Sequence, residues 1–232
     1  MGRAEARFVI QEPAILTSAL WFPDPHRAPR SGVRNGLAAM GGDLSVPRLL
    51  LAYRSGLFPW TDDPITWWSP DPRAIFDLDK FHVPRSLRRT LRQGSFRVTF
   101  DQAFRQVMEG CAALAPGRRS IWISPAFLEA YTQLHQAGHA HSVECWQGGE
   151  LAGGIYGVAV GGLFAGESMF HRVSNASKVA LCAFVAHLRE RGFPLFDIQM
   201  LTPVTAQLGA VAVSREIYLQ RLAGAVAQPC AF

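Results

Sequence analysis

The chain has 232 residues, of which 49% are apolar and 18% are charged, so it can bury the core of an ordinary globular protein. Its formal net charge of +5 is compatible with a polyanionic partner, although charge alone identifies none. The longest apolar stretch, residues 151–164, is interrupted by five glycines, which excludes a membrane-spanning helix and favours strands.

The N-terminal sequence contains acidic residues and lacks the apolar segment and small-residue cleavage site of a secretory signal. We therefore expect a cytoplasmic protein with no membrane anchor. The four cysteines are widely separated, which is not the spacing of a disulfide framework or a zinc knuckle. They are interpreted as reduced structural thiols: Cys111, Cys145, Cys182 and Cys230.

Residues 1–80 are rich in proline, glycine and tryptophan, a composition that predicts an irregular first part with few long elements. One helix is predicted inside it. Ser45 is suited to cap its N-terminus, residues 48–55 form its body, and Gly56 ends it.

A second helix is predicted between Pro84 and Gly94, with Leu87 and Leu91 spaced to share an apolar face. Residues 81–100 around it contain five arginines and no carboxylate. Arginines at one-turn spacing can follow a nucleic-acid backbone, so they are candidate phosphate contacts, while a solvated helix face is the alternative. This arginine face consists of Arg85, Arg88, Arg89 and Arg92.

Further along the chain, a helix capped by Asp101 and a helix over residues 124–138 are predicted. From residue 141 the apolar residues recur with a period of two, and two glycine pairs between apolar runs predict three antiparallel strands. The elements that follow are a helix capped by Ser174 or Asn175, a strand over 194–199, a short helix over 202–209, a strand over 210–214 and a closing helix over 215–226.

This order predicts an α/β (α+β) domain with a mostly antiparallel sheet. We place that domain at residues 96–232, after a small N-terminal domain at residues 1–95. The pattern itself limits the boundary only to residues 80–115.

Six strings along the chain together resemble one family, the bacterial leucyl/phenylalanyl-tRNA–protein transferases. They cover nearly the whole sequence in the family's order, which makes the resemblance specific. The strings are WFPDP (21–25), GLAAMGGDLSVPRLLLAYRSGLFPW (36–60), WWSPDPRA (67–74), AYTQLHQAGHAHSVECW (130–146), GGIYGVAVGGLFAGESMFHR (153–172) and NASKVAL (175–181).

The resemblance implies a GNAT-like acyltransferase domain and an N-terminal domain that helps to hold the aminoacyl end of tRNA. It implies transfer of leucine or phenylalanine, and less readily methionine, to proteins that begin with Arg or Lys, which marks them for N-degron degradation. It also implies no ATP, no cofactor and no metal. We expect a monomer whose partners are aminoacyl-tRNA and acceptor proteins.

This chain departs from the family pattern at several positions. Val204 stands in place of a histidine, Gln207 in place of a serine, and His171 where a serine is common. Asp197, Gln199 and Glu167 are kept, so the resemblance implies that the chemistry survives while acceptor preference or rate can differ.

An aminoacyl ester is already activated, so an enzyme of this kind mainly positions the ester and the attacking amine. Asp197 and Gln199 lie two apart on a predicted strand and are expected to share a face, with the carboxylate accepting from the Gln199 amide. The amide oxygen can then accept a hydrogen from the amine. The alternative is that the two side chains merely satisfy each other. An Asp197→Ala variant is expected to fold and to lose most transfer.

The resemblance also assigns the groups that hold the substrates. Glu167 is a candidate for holding the cationic acceptor terminus, although a lone glutamate is usually a surface residue. Trp60 and Trp122 are the predicted stacking wall for the tRNA end, and an apolar pocket is expected for the donor side chain. Its candidates, which by default are ordinary core, are Ile155, Phe164 and Phe184.

Three other interpretations remain for comparison. A metal site at His135, His139 and His141 is rejected, because no carboxylate or cysteine set has ligand spacing. An acetyl-coenzyme A acetyltransferase is disfavoured, because HRVSNASK offers no glycine for a pyrophosphate loop. A non-catalytic tRNA-binding module explains the arginine face but not the cluster of Glu167, Asp197 and Gln199.

Overall fold

The computed structural model describes residues 12–113 and 123–232, and it contains a small and a large β-sheet. The strands of the small sheet are β1 (Ala14–Leu16), β2 (Leu37–Gly41), β3 (Phe58–Asp62) and β4 (Ile65–Trp68). The strands of the large sheet are β5 (Arg73–Phe76), β6 (Arg97–Phe100), β7 (Ala140–Gln147), β8 (Glu150–Val160), β9 (Leu163–His171), β10 (Leu195–Gln199) and β11 (Ala210–Val213).

Seven α-helices lie in the described residues, with two short 3₁₀ turns at Pro25–Arg27 and Leu78–Lys80. The longest has 15 residues, fewer than the ~20 that a bilayer span takes, so none of these helices crosses a membrane. The helices are α1 (Val46–Arg54), α2 (Arg85–Gln93), α3 (Phe104–Ala112), α4 (Pro125–Gln136), α5 (Ala176–Glu190), α6 (Pro203–Gln207) and α7 (Arg215–Val226).

The predicted helix ends follow from local chemistry. α1 stops before Gly56, which has a φ of 81° and sits so close to α7 that a Cβ would lie 2.5 Å from the Leu219 side chain. α2 ends at Gly94, which is left-handed with a φ of 64°. At the start of α4, the Ser124 side chain accepts a hydrogen bond from the Phe127 backbone N–H. These three predicted helices are confirmed.

Two predictions about secondary structure need correction. The first 80 residues contain few long elements, as predicted, but their described part is less irregular than expected, because it forms five strands of three to five residues in addition to α1. Asp101 is not the cap of α3, which begins three residues later. Asp101 has a φ of 55°, and its carboxylate accepts from the Ser142 backbone and contacts His141 instead.

The large sheet runs in the order β11-β5-β10-β9-β8-β7-β6. The predicted meander of β7, β8 and β9 is confirmed, and the only parallel pair in this sheet is β10 with β9. The mixed α/β class with a mostly antiparallel sheet is therefore confirmed. β1 and β2 form a further parallel pair in the small sheet.

Sheet membership changes between Trp68 and Arg73, well before the predicted domain boundary at residue 95. The reason is that β5 pairs with β10 and β11 of the large sheet. The hydrophobic core is not divided between the two sheets either. Leu49 and Tyr53 of α1 and Trp67 of the small sheet share one core with Tyr156 of β8. A division into two domains at residue 95 stays a prediction.

Two β-bulges lie in neighbouring strands of the large sheet. In β9, Gly166 and Ser168 pair with consecutive residues of β8, so Glu167 is the additional residue. In β10, Asp197 and Gln199 pair with consecutive residues of β5, and Ile198 is the additional residue. A bulge bends the strand and redirects side chains, so both strands leave the regular ladder at the same level.

Candidate active site

One pocket of about 110 Å³ lies where the bulges of β9 and β10 meet strand β3 of the small sheet. Its polar wall is made by Glu167 and Gln199, and its apolar wall by aromatic and aliphatic side chains. The structure thus brings three of the predicted site residues together. The complete lining is Phe58, Pro59, Trp60, Glu167, Gln199 and Met200.

Gln199 is held at the edge of this pocket by a side-chain hydrogen bond across the two strands. Its Nε2 donates to Oε1 of Glu167 at 3.1 Å, which leaves the amide oxygen as an acceptor. Gln199 also has a φ of 55°, a left-handed conformation that costs a residue other than glycine about 1–3 kcal/mol and is concentrated at functional sites.

Asp197 does not accept from the Gln199 amide, so that part of the prediction is wrong. Its Oδ1 accepts from the backbone N–H of Gln199 at 2.9 Å, and its carboxylate is fully buried. The bulge at Ile198 interrupts the two-residue alternation on which the prediction rested. Asp197 therefore holds the backbone of Gln199, while Glu167 holds its side chain.

A buried arginine on β5 neutralises Asp197. Arg73 donates from Nε to Oδ1 at 2.9 Å and from Nη2 to Oδ2 at 2.6 Å, and the Tyr218 hydroxyl donates to Oδ2 at 2.9 Å. Burial lowers the pKa of Arg73, but the charge of Asp197, its hydrogen bonds and the nearby Tyr218 and Glu167 together outweigh burial, and the pKa is raised. Arg73 also donates to the Gly56 carbonyl at 3.2 Å, so the cation is well satisfied.

Two buried tyrosines lie behind Glu167. The hydroxyls of Tyr53 on α1 and Tyr131 on α4 are hydrogen-bonded to each other, and Tyr131 donates to Oε2 of Glu167 at 3.4 Å. Burial raises the pKa of Glu167 from 4.5 to about 8, although hydrogen bonds from the tyrosines oppose this and the nearby Asp197 charge adds to it. Glu167 can therefore exchange a proton near neutral pH.

The chain matches one known protein family over most of its length. A family model described as leucyl/phenylalanyl-tRNA protein transferase matches residues 75–223, and a model for its N-terminal domain matches residues 42–71. A leucyl/phenylalanyl-tRNA–protein transferase of Magnetococcus marinus is 52% identical over 202 residues, covering 84% of this chain and 86% of its own. One from Pseudomonas fluorescens is 50% identical over 214 residues, covering 91% and 94%.

The chain belongs to the leucyl/phenylalanyl-tRNA–protein transferase family. It is therefore an aminoacyltransferase, and the resemblance seen in the sequence is confirmed. Similar solved structures include L-PGS from Bacillus licheniformis, with a TM-score of 0.42 and 14% identity over 64% of this chain and 50% of that one. An aminoglycoside acetyltransferase from a soil metagenomic sample has a TM-score of 0.38 and 12% identity, over 48% and 81%. Such low scores carry no functional conclusion.

The three residues predicted for the side-chain pocket of this transferase do not line the pocket at Glu167. Ile155, Phe164 and Phe184 are buried in the core that α5 forms with the large sheet. The rings of Phe164 and Phe184 pack edge to face at 4.6 Å. Their contact with a donor side chain stays a prediction. Trp122, the second predicted stacking residue, lies outside the described residues.

The arginine face of the transferase is exposed on α2, as the helical spacing predicts. Arg85, Arg88, Arg89 and Arg92 all reach solvent, and Arg88 donates to the Val83 carbonyl at 2.9 Å. No carboxylate of residues 12–113 or 123–232 forms an ion pair with these four guanidinium groups. They are therefore available to a polyanion, and phosphate binding by them stays a prediction.

Two of the three histidines for which the sequence analysis rejects a metal site bind protein groups instead. His135 stacks on Phe104 at 4.3 Å and approaches the Ala140 carbonyl through Nδ1 at 2.8 Å, while His141 contacts the Asp101 carboxylate at 2.7 Å. The part of the chain that the structure describes contains no cluster of three or more potential metal-binding side chains.

Sequence reasoning missed Tyr53, Tyr131, Arg73 and Tyr218. Tyr53 and Tyr131 lie on apolar helix faces, where a buried tyrosine is usually an ordinary core residue. Arg73 lies in one of the family strings, but nothing local indicates its partner 124 residues away. Only the tertiary fold places these side chains around Glu167 and Asp197.

Proposed function

We propose that this aminoacyltransferase moves leucine or phenylalanine, and less readily methionine, from aminoacyl-tRNA to proteins that begin with Arg or Lys. The products carry a new N-terminal residue that marks them for N-degron degradation. The reaction is ester aminolysis without ATP, carried out by a cytoplasmic monomer. The observation that carries this proposal is the pocket in which Glu167 and Gln199 face the aromatic wall of Trp60.

The polar wall suits the acceptor terminus. An α-amine has a pKa of about 8, so much of it is protonated at neutral pH and must lose a proton before it attacks. In the proposal, the Glu167 carboxylate holds the cationic terminus and the free oxygen of the Gln199 amide accepts one of its hydrogens. Asp197 acts through the backbone of Gln199, with which it shares a hydrogen bond.

The apolar wall suits the donor end of the tRNA. Trp60 packs edge to face on Trp68 at 5.3 Å, so its ring is fixed in orientation and can stack on a terminal adenine. Trp122 is proposed as its counterpart. Ile155, Phe164 and Phe184 are proposed to receive the leucine or phenylalanine side chain. In an apolar pocket, one extra or missing methylene changes the free energy that distinguishes two substrates by only about 1–3 kcal/mol, so some transfer of methionine is expected.

A transfer assay tests the function directly. The protein is mixed without ATP with Phe-tRNA labelled in the amino acid and with matched peptides that begin with Arg, Lys or Gly. Label is expected in the Arg and Lys peptides and not in the Gly peptide. Label that stays on tRNA would instead favour a tRNA-binding module, and acetylation of the peptides from acetyl-coenzyme A would favour an acetyltransferase.

Reversal of two charges on the arginine face tests tRNA binding. The Arg88→Glu, Arg89→Glu variant is expected to bind tRNA roughly tenfold or more weakly, with a salt-dependence slope smaller by about 1 per lost phosphate contact. Both residues are exposed, so folding should be unaffected.

The matched control for that variant is Arg191→Glu with Arg221→Glu. It makes the same change of formal charge at exposed positions at the end of α5 and on α7. Filter-binding titrations at several salt concentrations compare the two. Equal affinity losses in both variants would show that the effect comes from net charge and not from the face on α2.

A further inference from the structure

The tyrosine pair behind Glu167 is not needed by the reaction as proposed above. Tyr53 and Tyr131 come from different helices, α1 and α4, and are 78 residues apart in the chain. Their rings are fully buried, with 1% and 0% of their surface exposed. Phenylalanine would fill the same space, so packing alone does not account for two hydroxyls at this depth.

The two hydroxyls are satisfied by each other and by one carboxylate. Each buried hydroxyl needs a partner, because leaving it unpaired costs about 1–3 kcal/mol. The Tyr131 hydroxyl donates to Oε2 of Glu167, and the Tyr53 hydroxyl bonds to that of Tyr131. The other oxygen of Glu167 accepts from Gln199. The pair therefore determines the direction in which the Glu167 carboxylate points.

Several charged or titratable groups face this carboxylate. Tyr53 on α1 and Tyr131 on α4 stabilise its ionised form by hydrogen bonding. Asp197 on β10 opposes ionisation and Arg73 on β5 favours it. Tyr218 on α7 is bound to Asp197, so it acts on Glu167 only through that pair. The tyrosines are thus neutral donors that partly oppose the effect of burial on the pKa of Glu167.

We propose that Tyr53 and Tyr131 are positioning residues for the transfer reaction, which hold the Glu167 carboxylate against Gln199 and let it accept a proton from the acceptor terminus. This inference rests on the proposed function, because it concerns the same pocket and the same acceptor amine.

The proton balance of the step is complete. The α-ammonium of the acceptor gives one proton to Glu167 and becomes a neutral amine, whose lone pair attacks the ester carbon. The new C–N bond forms and the bond from that carbon to the ribose oxygen breaks. A second amine proton passes to the ribose oxygen of the leaving tRNA, and Glu167 later releases its own proton to solvent.

The test is the pH profile of kcat/KM for transfer to an Arg peptide in wild type, Tyr53→Phe and Tyr131→Phe. Tyr131→Phe removes the hydroxyl that donates to the carboxylate, and Tyr53→Phe removes the hydroxyl bonded to that donor. Both tyrosines lower the pKa of Glu167, so in either variant that pKa should rise further and the acidic limb of the profile should move to higher pH. A shift of about one unit corresponds to one hydrogen bond to a charged group. The acceptor amine ionises identically in all three profiles, so a difference between the profiles must come from a group of the enzyme.

Thr132→Val is the matched control. It also removes a hydroxyl from α4, one residue from Tyr131, but that hydroxyl is bonded to the Leu128 carbonyl of its own helix at 2.6 Å. Its profile is expected to match that of wild type. Thermal unfolding of each variant confirms that the protein is folded, and either tyrosine variant alone suffices for the test.

The outcomes separate the two proposals. If the wild-type protein transfers no label to the peptide, the proposed function is wrong. Wild type that transfers normally, while both tyrosine variants keep the wild-type acidic limb, removes the role of the tyrosines and leaves the function standing. A shift shared by Thr132→Val would also count against the tyrosines, because it would trace the effect to α4 in general.

Discussion

An Asp197→Ala variant is expected to be less stable than wild type by about 3–5 kcal/mol, as well as inactive. The substitution leaves the guanidinium of Arg73 buried without its partner, which is the costly way to break a buried ion pair. It also releases the backbone N–H of Gln199. Urea unfolding followed by circular dichroism measures the loss. This revises the expectation from sequence, in which the variant keeps its fold.

The control for this prediction replaces both partners. Arg73→Met with Asp197→Leu removes the two charges together, so it is expected to recover most of the lost stability but none of the activity. Asp197→Ala with an unchanged urea midpoint would show that the pair does not stabilise the fold. Recovery of transfer in the double variant would show that Asp197 has no part in holding Gln199.

Glu167→Gln is expected to lower kcat/KM for transfer by roughly 10²–10⁴-fold, the usual contribution of a positioned acid or base. The amide keeps the size of the side chain and can still bond to Tyr131, but it cannot accept a proton at neutral pH. Glu167→Asp shortens the side chain by one methylene and retains the carboxylate, so it should keep part of the activity. Equal activity of the Gln variant and wild type would remove Glu167 from the chemistry.

The raised pKa of Glu167 predicts how the stability of the fold varies with pH. The folded pKa of Glu167, about 8, lies above its ordinary value of 4.5. The folded state therefore binds the proton more tightly, and its contribution to stability is full below pH 4.5 and is lost as the pH rises through 8. Wild type should lose stability relative to Glu167→Gln between pH 5 and pH 9, as measured by urea unfolding at both values.

The helices and the meander of the large sheet follow from local sequence. Gly56 and Gly94 end their helices through left-handed backbone, and glycine pairs mark the turns of β7, β8 and β9. Such signals act within a few residues of the chain. The strands of the first 80 residues escape the same reasoning because they are 3–5 residues long and pair mainly across intervening segments.

The candidate site is predictable in its residues but not in its bonds. Glu167 lies in one of the family strings and Gln199 is kept from the family pattern, and the structure does place them together. Their arrangement depends on two bulges, and a bulge cannot be seen in a period-two pattern because it is a break in that pattern. The alternation rule consequently paired Gln199 with Asp197, whereas the fold pairs it with Glu167.

The anchoring of Arg73 has a consequence for biosynthesis. Its guanidinium stacks between Phe58 and the ring of Tyr218, at 4.7 and 4.4 Å, and Tyr218 is supplied by α7. A nascent chain still attached to the ribosome lacks that ring until α7 has emerged, so Arg73 and Asp197 have no closed environment before then. The ion pair that holds the Gln199 backbone is therefore complete only once α7 has packed against β5 and β10.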